Sequence, residues 1–153
     1  MNFPMISRTS LAALAFASSA SAQDIEVRQL GALDPLEVQI ADTPLESDLW
    51  QGSSLATASA AISALPDLAS DGYASPALAE LAARVLLSGG EPPQGGRGNT
   101  ALAALRADRA LAAAGAPVTF ALLERTPGLE RRPTLAQIHA EVSFAMGRGD
   151  EGC

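Results

Sequence analysis

Apolar positions alternate with polar ones early in this chain and recur at helical spacing from about residue 43 onward. Ile25 and Val27, then Leu36, Val38 and Ile40, lie two residues apart, with Leu33-Asp34-Pro35 supplying a turn. That pattern predicts either a small β-hairpin or an extended segment lying over a helical body, within residues 23–42.

Beyond it the signals are helical. Thr43-Pro44-Leu45-Glu46 offers a capping hydroxyl, a proline at the first helical position and a glutamate at the third, predicting one or two turns through Trp50 that stop at Gly52. Ser54 caps a helix from Leu55 to about Leu65, ended by Pro66. After a loop over 66–74, Ser75-Pro76 starts a helix to about Leu87, which Gly89-Gly90 ends. Residues 91–98, rich in Gly and Pro, read as a flexible connector with no core-forming side chain. Asn99 caps a helix to about Ala114, a shorter one spans roughly Pro117 to Arg125, and Pro133 begins the last, which runs to about Met146.

Three of these helices share the form Leu-Ala-x-(Leu/Ile)-x-Ala-x-x-x-(Leu/Phe), beginning at Leu78, Leu102 and Leu135. At about 100° per residue the first and fourth positions lie on one side and the sixth and tenth nearly opposite, so each helix is apolar on two sides and packs between neighbours. The second and third copies start 33 residues apart with a shorter helix between them, the period of a tetratricopeptide-like (TPR-like) helix pair. The reading is an all-α domain over 43–153, a short TPR-like helical-repeat array (α-solenoid). Because no polar capping helix precedes Cys153, the array is expected either to fray at its end or to continue in a longer polypeptide.

The first residues change where this domain is expected to work. Arg8 is the only charge before the apolar run Leu11–Ala17, and Ala20-Ser21-Ala22 is the small-x-small pattern of signal peptidase. Residues 1–22 therefore read as a secretory signal peptide cleaved after Ala22. The run is too short for a membrane span, which needs about 20 apolar residues. The destination is the periplasm or the outside, with no transmembrane span after cleavage.

Composition narrows the function classes. The chain carries a net charge of −7, all ten basic residues are arginine, and 32 residues are alanine, biases that point to a GC-rich bacterial genome. An acidic chain without a basic patch is a poor binder of nucleic acid, whose affinity rests on phosphate contacts. Cys153 is the only cysteine and His139 the only histidine. Disulfide scaffolds and cysteine-built zinc or iron–sulfur sites are therefore excluded, and neither a metal nor a cofactor is expected.

No residue stands out as catalytic. His139 lies mid-helix with Glu141 two positions on, which is not facing geometry, and reads as a structural histidine. No Gly-x-Ser-x-Gly elbow is present. Gly95-Gly96-Arg97-Gly98 before Asn99 has the outline of a phosphate-cradling loop but lacks the lysine and a preceding strand, and reads as linker. Glu46 with Asp48, and Asp67 with Asp71, read as solvated charge, Trp50 as a core anchor, and Arg131-Arg132 as a solvated loop. Cys153 could pair with another chain in an oxidising compartment, although it reads more simply as the residue at which this polypeptide ends.

Asp34-Pro35, Leu49-Trp50-Gln51-Gly52-Ser53, Leu65-Pro66, Ser75-Pro76-Ala77-Leu78 and the repeating helices together resemble a group of uncharacterised exported bacterial helical-repeat proteins, some labelled antifreeze-glycopeptide-related. The resemblance implies a TPR-like α-solenoid in the cell envelope and carries over no catalytic residue. Ice binding would need regularly spaced threonines on one face, and Thr100, Thr119, Thr126 and Thr134 lack that regularity. The expected function is a non-enzymatic periplasmic interaction or scaffold module binding another envelope protein; the alternative is the helical non-catalytic region of a larger cell-envelope enzyme.

Overall fold

Helices begin where a short polar side chain can take the first free backbone N–H, and three do so in this chain. In the computed structural model, which describes residues 33–150, Ser54 Oγ accepts from Thr57 N at 3.1 Å, Ser75 Oγ from Leu78 N at 3.3 Å and Asn99 Oδ1 from Leu102 N at 2.8 Å. They open α1 (Leu55–Ser63), α2 (Pro76–Leu87) and α3 (Thr100–Ala114). Gly115, at φ 81°, ends α3 and leads directly into α4 (Ala116–Glu124). A single 3-10 turn at Leu129–Arg131 precedes α5 (Pro133–Ala145), which has proline in its first turn. The described residues contain no strand and are mostly helical, an all-α architecture. The expected signal peptide, with Ile25, Val27 and Cys153, lies outside them.

Helix α3 is the hub, packing against α1, α2, α4 and α5, while α4 and α5 pack against each other. Its buried face carries Leu102, Ala103, Ala107 and Ala110, and the small side chains let neighbouring backbones come close. Leu86, Leu122, Leu123, Leu135 and Val142 complete the core. The buried hydroxyls of Thr119, Thr126 and Ser143 donate to the carbonyls four residues back, those of Gly115, Leu122 and His139.

The non-helical segment before α1 turns at residues 35–37, where Glu37 N donates to Asp34 O at 2.9 Å, and passes the carboxyl end of α2 with Leu36 and Val38 in the core. Ile40 N and Ala41 N both donate to Leu87 O, at 3.0 and 3.2 Å, and Gly90 N donates to Leu36 O at 3.1 Å. The approach is so close that a Cβ on Gly89 would sit 2.3 Å from Glu37 O, and one on Gly90 2.7 Å from Ser47 O. Gly89-Gly90, expected only to end a helix, is therefore the place where two backbones meet.

Two further expectations are corrected. Thr43-Pro44 starts no helix: residues 47–52 form successive turns, with Gln51 N donating to Asp48 O at 2.7 Å and Ser53 N to Trp50 O at 3.0 Å. Leu45 N is taken by Ser88 Oγ at 2.9 Å, and the two turns before Gly52 are too few for a helix to repay its nucleation. The connector 91–98 contributes to the fold: Pro93 is buried, Gln94 N donates to Ser53 O and Gln94 O accepts from Leu55 N, both at 2.9 Å. Those bonds form an isolated parallel bridge between Ser54 and Gln94.

Arg106 joins these pieces. It is the charged residue in the middle of α3's buried face, only 5 % exposed. Its guanidinium donates to Pro35 O at 3.0 Å, Leu36 O at 3.3 Å, Val38 O at 2.8 Å, Ser88 O at 3.1 Å and Leu86 O at 2.5 Å. Burial lowers its pKa from the ordinary arginine range to about 10, and the carboxylate of Asp34 pulls in the opposite direction. Arg106 thus stays charged at neutral pH while buried. Asp34 is itself buried, its Oδ1 accepting from Leu36 N at 2.9 Å and its Oδ2 from Gly98 N.

Candidate functional site

Helices α1 and α2 both lean on α3 but make little contact with each other. Between them, closed at one end by the loop over 64–75, is a groove of about 600 Å³ lined almost entirely by apolar side chains and by no charged one. Ile62 and Ala82 are buried at its base, Leu65 and Val85 line its sides, and Trp50 and Tyr73 contribute the aromatic surface. On α2 the lining residues Leu78, Leu81, Ala82 and Val85 fall at i, i+3, i+4 and i+7, a single helical ridge.

The outer part of this ridge is uncovered. Leu78 is 51 % and Leu81 55 % exposed, and nearby in sequence Leu68 is 64 % exposed. Three of the five large apolar side chains most exposed among the described residues thus belong to the groove or to its loop; the other two, Leu33 and Phe144, stand apart. Tyr73 adds a polar handle. Its hydroxyl oxygen is buried with no hydrogen-bond partner among the described residues, and burial raises its pKa above 10 despite the opposing effect of Arg109. The Nε of Arg109 is likewise buried without a partner, while its Nη1 faces Asp108 and, at 3.7 Å, Asp67.

The remaining candidates fall elsewhere. His139 is half-buried and not isolated: Nε2 lies 2.9 Å from Glu124 Oε1 on α4, and the ring stacks on Phe120 at 5.0 Å, with Arg148 over the far ring at 4.8 Å. The acid partner missing from its own helix comes from the neighbouring one, fastening α5 to α4. Ser143, one turn on, has its hydroxyl committed to His139 O, so this pair gains no nucleophile. In the Gly95–Gly98 loop, the Gly98 N–H is occupied by the chain's own Asp34 carboxylate. Arg131 is exposed and pairs with Glu130 at 3.4 Å, and Arg132 donates to Pro127 O. Asp67 pairs with Arg109, whereas Glu46, Asp48 and Asp71 are exposed. Trp50 is half-buried at the groove, at once a core contact and part of the candidate site.

Among the described residues no group of three His, Cys, Asp or Glu side chains could hold a metal ion, and no helix is long and apolar enough to cross a membrane. Sequence reasoning placed Leu78 and Leu81 in the repeat pattern without finding that they line an open groove, and it missed Arg106 and Asp34. A signal for Arg106 was present: it sits four residues after Leu102 and four before Ala110, inside the apolar stripe rather than opposite it. Compared with family models, with curated proteins and with solved structures, the chain matches none.

Proposed function

We propose that this protein is an exported, non-enzymatic interaction module, a short TPR-like helical array that holds an apolar segment of another envelope protein in the groove between α1 and α2. The observation that carries the reading is the ridge of Leu78, Leu81, Ala82 and Val85, which faces an apolar space of ligand-binding size. The signal-peptide pattern of residues 1–22 supports an envelope destination. The repeated Leu-Ala pattern and the resemblance to exported helical-repeat proteins support the array.

A photo-crosslinking residue placed at Leu81 in growing cells tests this, with the same residue at exposed Glu130 as control. The reading expects a discrete product from Leu81 containing an envelope protein, and none from Glu130. It also expects the purified chain to have the mass of a polypeptide beginning at Gln23. Identical products from both positions, or none from Leu81, would contradict the docking role, and an uncleaved cytoplasmic chain would contradict export.

A further inference from the structure

We infer that the occupant of the groove is an amphipathic α-helix of the partner, apolar along one face and flanked by arginine or lysine. This rests on the reading of the groove as a docking face and goes further by stating what docks.

The repeat register argues for a helix. Leu78, Leu102 and Leu135 occupy the same position in the three copies of the pattern, yet Leu102 is 2 % and Leu135 1 % exposed where Leu78 is 51 % exposed. The fourth position behaves alike: Leu105 and Ile138 pack against the core, whereas Leu81 is open. In α3 and α5 this ridge is covered by packing against other helices of the bundle. On α2 the same ridge runs two turns, about 10 Å, and its outer positions Leu78 and Leu81 have no such cover while Ala82 is buried at its base. The other common recognition modes fit less well. No strand is present among the described residues to take an added strand, and the aliphatic i, i+3, i+4, i+7 ridge matches helix-in-groove docking better than a polyproline segment.

Charge argues for basic flanks. The lining has no charged side chain, but Asp48, Asp67 and Asp71 are each adjacent in sequence to a lining residue, next to Leu49, Pro66 and Gly72. Asp48 and Asp71 are exposed and make no ion pair among the described residues. Arg109 pairs with Asp67 and Asp108, and Arg84, next in sequence to the lining Val85, donates to Thr43 O at 2.8 Å, leaving Asp48 and Asp71 as acidic groups beside the lining without an ion pair among the described residues. A second copy of this chain would set the same carboxylates against each other, whereas a basic flank is attracted to them.

The test uses the purified protein, a neutral apolar dye such as Nile red, and three designed helical peptides of about five turns that share one apolar face. Their flanks are arginine, glutamine or glutamate. The inference expects the arginine peptide to displace the dye and to bind about tenfold tighter than the glutamate peptide at low salt, an advantage that shrinks as salt is raised. Leu78→Asp and Leu81→Asp, both at exposed positions, should abolish dye and peptide binding. Asp48→Lys with Asp71→Lys should reverse the preference. If the dye binds and is lost in Leu81→Asp, but no helical peptide displaces it or all three bind equally, the helix or its basic flank is wrong and the docking face stands. If neither dye nor peptide binds, the docking face itself is wrong. Concentration-dependent dimers that Leu81→Asp dissolves would show a second copy as the occupant and overturn the inference.

Discussion

The guanidinium of Arg106 donates to the main-chain carbonyl of Val38 at 2.8 Å, so the middle of α3 holds a segment 68 residues earlier in the chain. Four more carbonyls converge on the same group, from Pro35, Leu36, Leu86 and Ser88. The non-helical segment before α1 has no sheet to satisfy its backbone, and one cation in the core does much of that work.

Replacing Arg106 with methionine keeps the apolar volume but strands buried carbonyls, and should destabilise the protein by about 3–5 kcal/mol. Lysine should recover only part of this, because one ammonium with three donors cannot reach five carbonyls set in a fork. Urea unfolding of the two variants measures the difference; equal stability of wild type and Arg106→Met would refute the role.

Asp34 works at the same junction from the other side, bonded to Leu36 N and Gly98 N and favouring the charge on Arg106. Asp34→Ala should cost about 1–3 kcal/mol. A double-mutant cycle with Arg106→Met should show coupling of about 0.5–3 kcal/mol, since either change leaves the other group buried without its counter-charge. Strictly additive effects would mean the two residues act separately.

How much of this could be read from the sequence depends on how far the deciding contact lies along the chain. Ser54, Ser75 and Asn99 cap helices by reaching three residues onward, so those starts were legible. Thr43-Pro44 carried equally good local signals yet starts no helix: residues 47–52 form short turns, and Leu45 N is held by Ser88, 43 residues further on. Arg106 lies in a helix where arginine is ordinarily solvated, and the carbonyls that surround it arrive only with tertiary packing. Leu78 and Leu81 were legible as an apolar face; that the face stays open was not, because it depends on what packs beside it.

Gly89 tests the close approach of the two backbones. Its conformation does not require glycine, but its added Cβ would lie 2.3 Å from Glu37 O, an obstacle that no side-chain rearrangement relieves. Gly89→Ala should therefore cost about 1–3 kcal/mol, the range for overpacking a close contact. Thermal unfolding checks it, and unchanged stability would show that the segment 36–38 moves away freely.

Tyr73 gives a pH dependence whose sign is fixed. Its phenol keeps its proton to higher pH in the folded chain than in the unfolded one. The stability this contributes is present below about pH 10 and is lost as pH rises through the folded value. Arg106, with its pKa lowered on folding, works in the opposite direction above about pH 10, so the comparison is made against Tyr73→Phe in the same background. Tyr73 is the only tyrosine, so absorbance reads its titration directly. A midpoint at or below 10 would contradict a buried hydroxyl.

The most direct measurement is amide hydrogen exchange of the protein alone and in complex with the partner captured through Leu81. The account predicts added protection concentrated in residues 49–50, 61–66 and 72–85, the segments that surround the groove. Protection centred instead on residues 125–132, or spread evenly over α4 and α5, would contradict the groove as the working face.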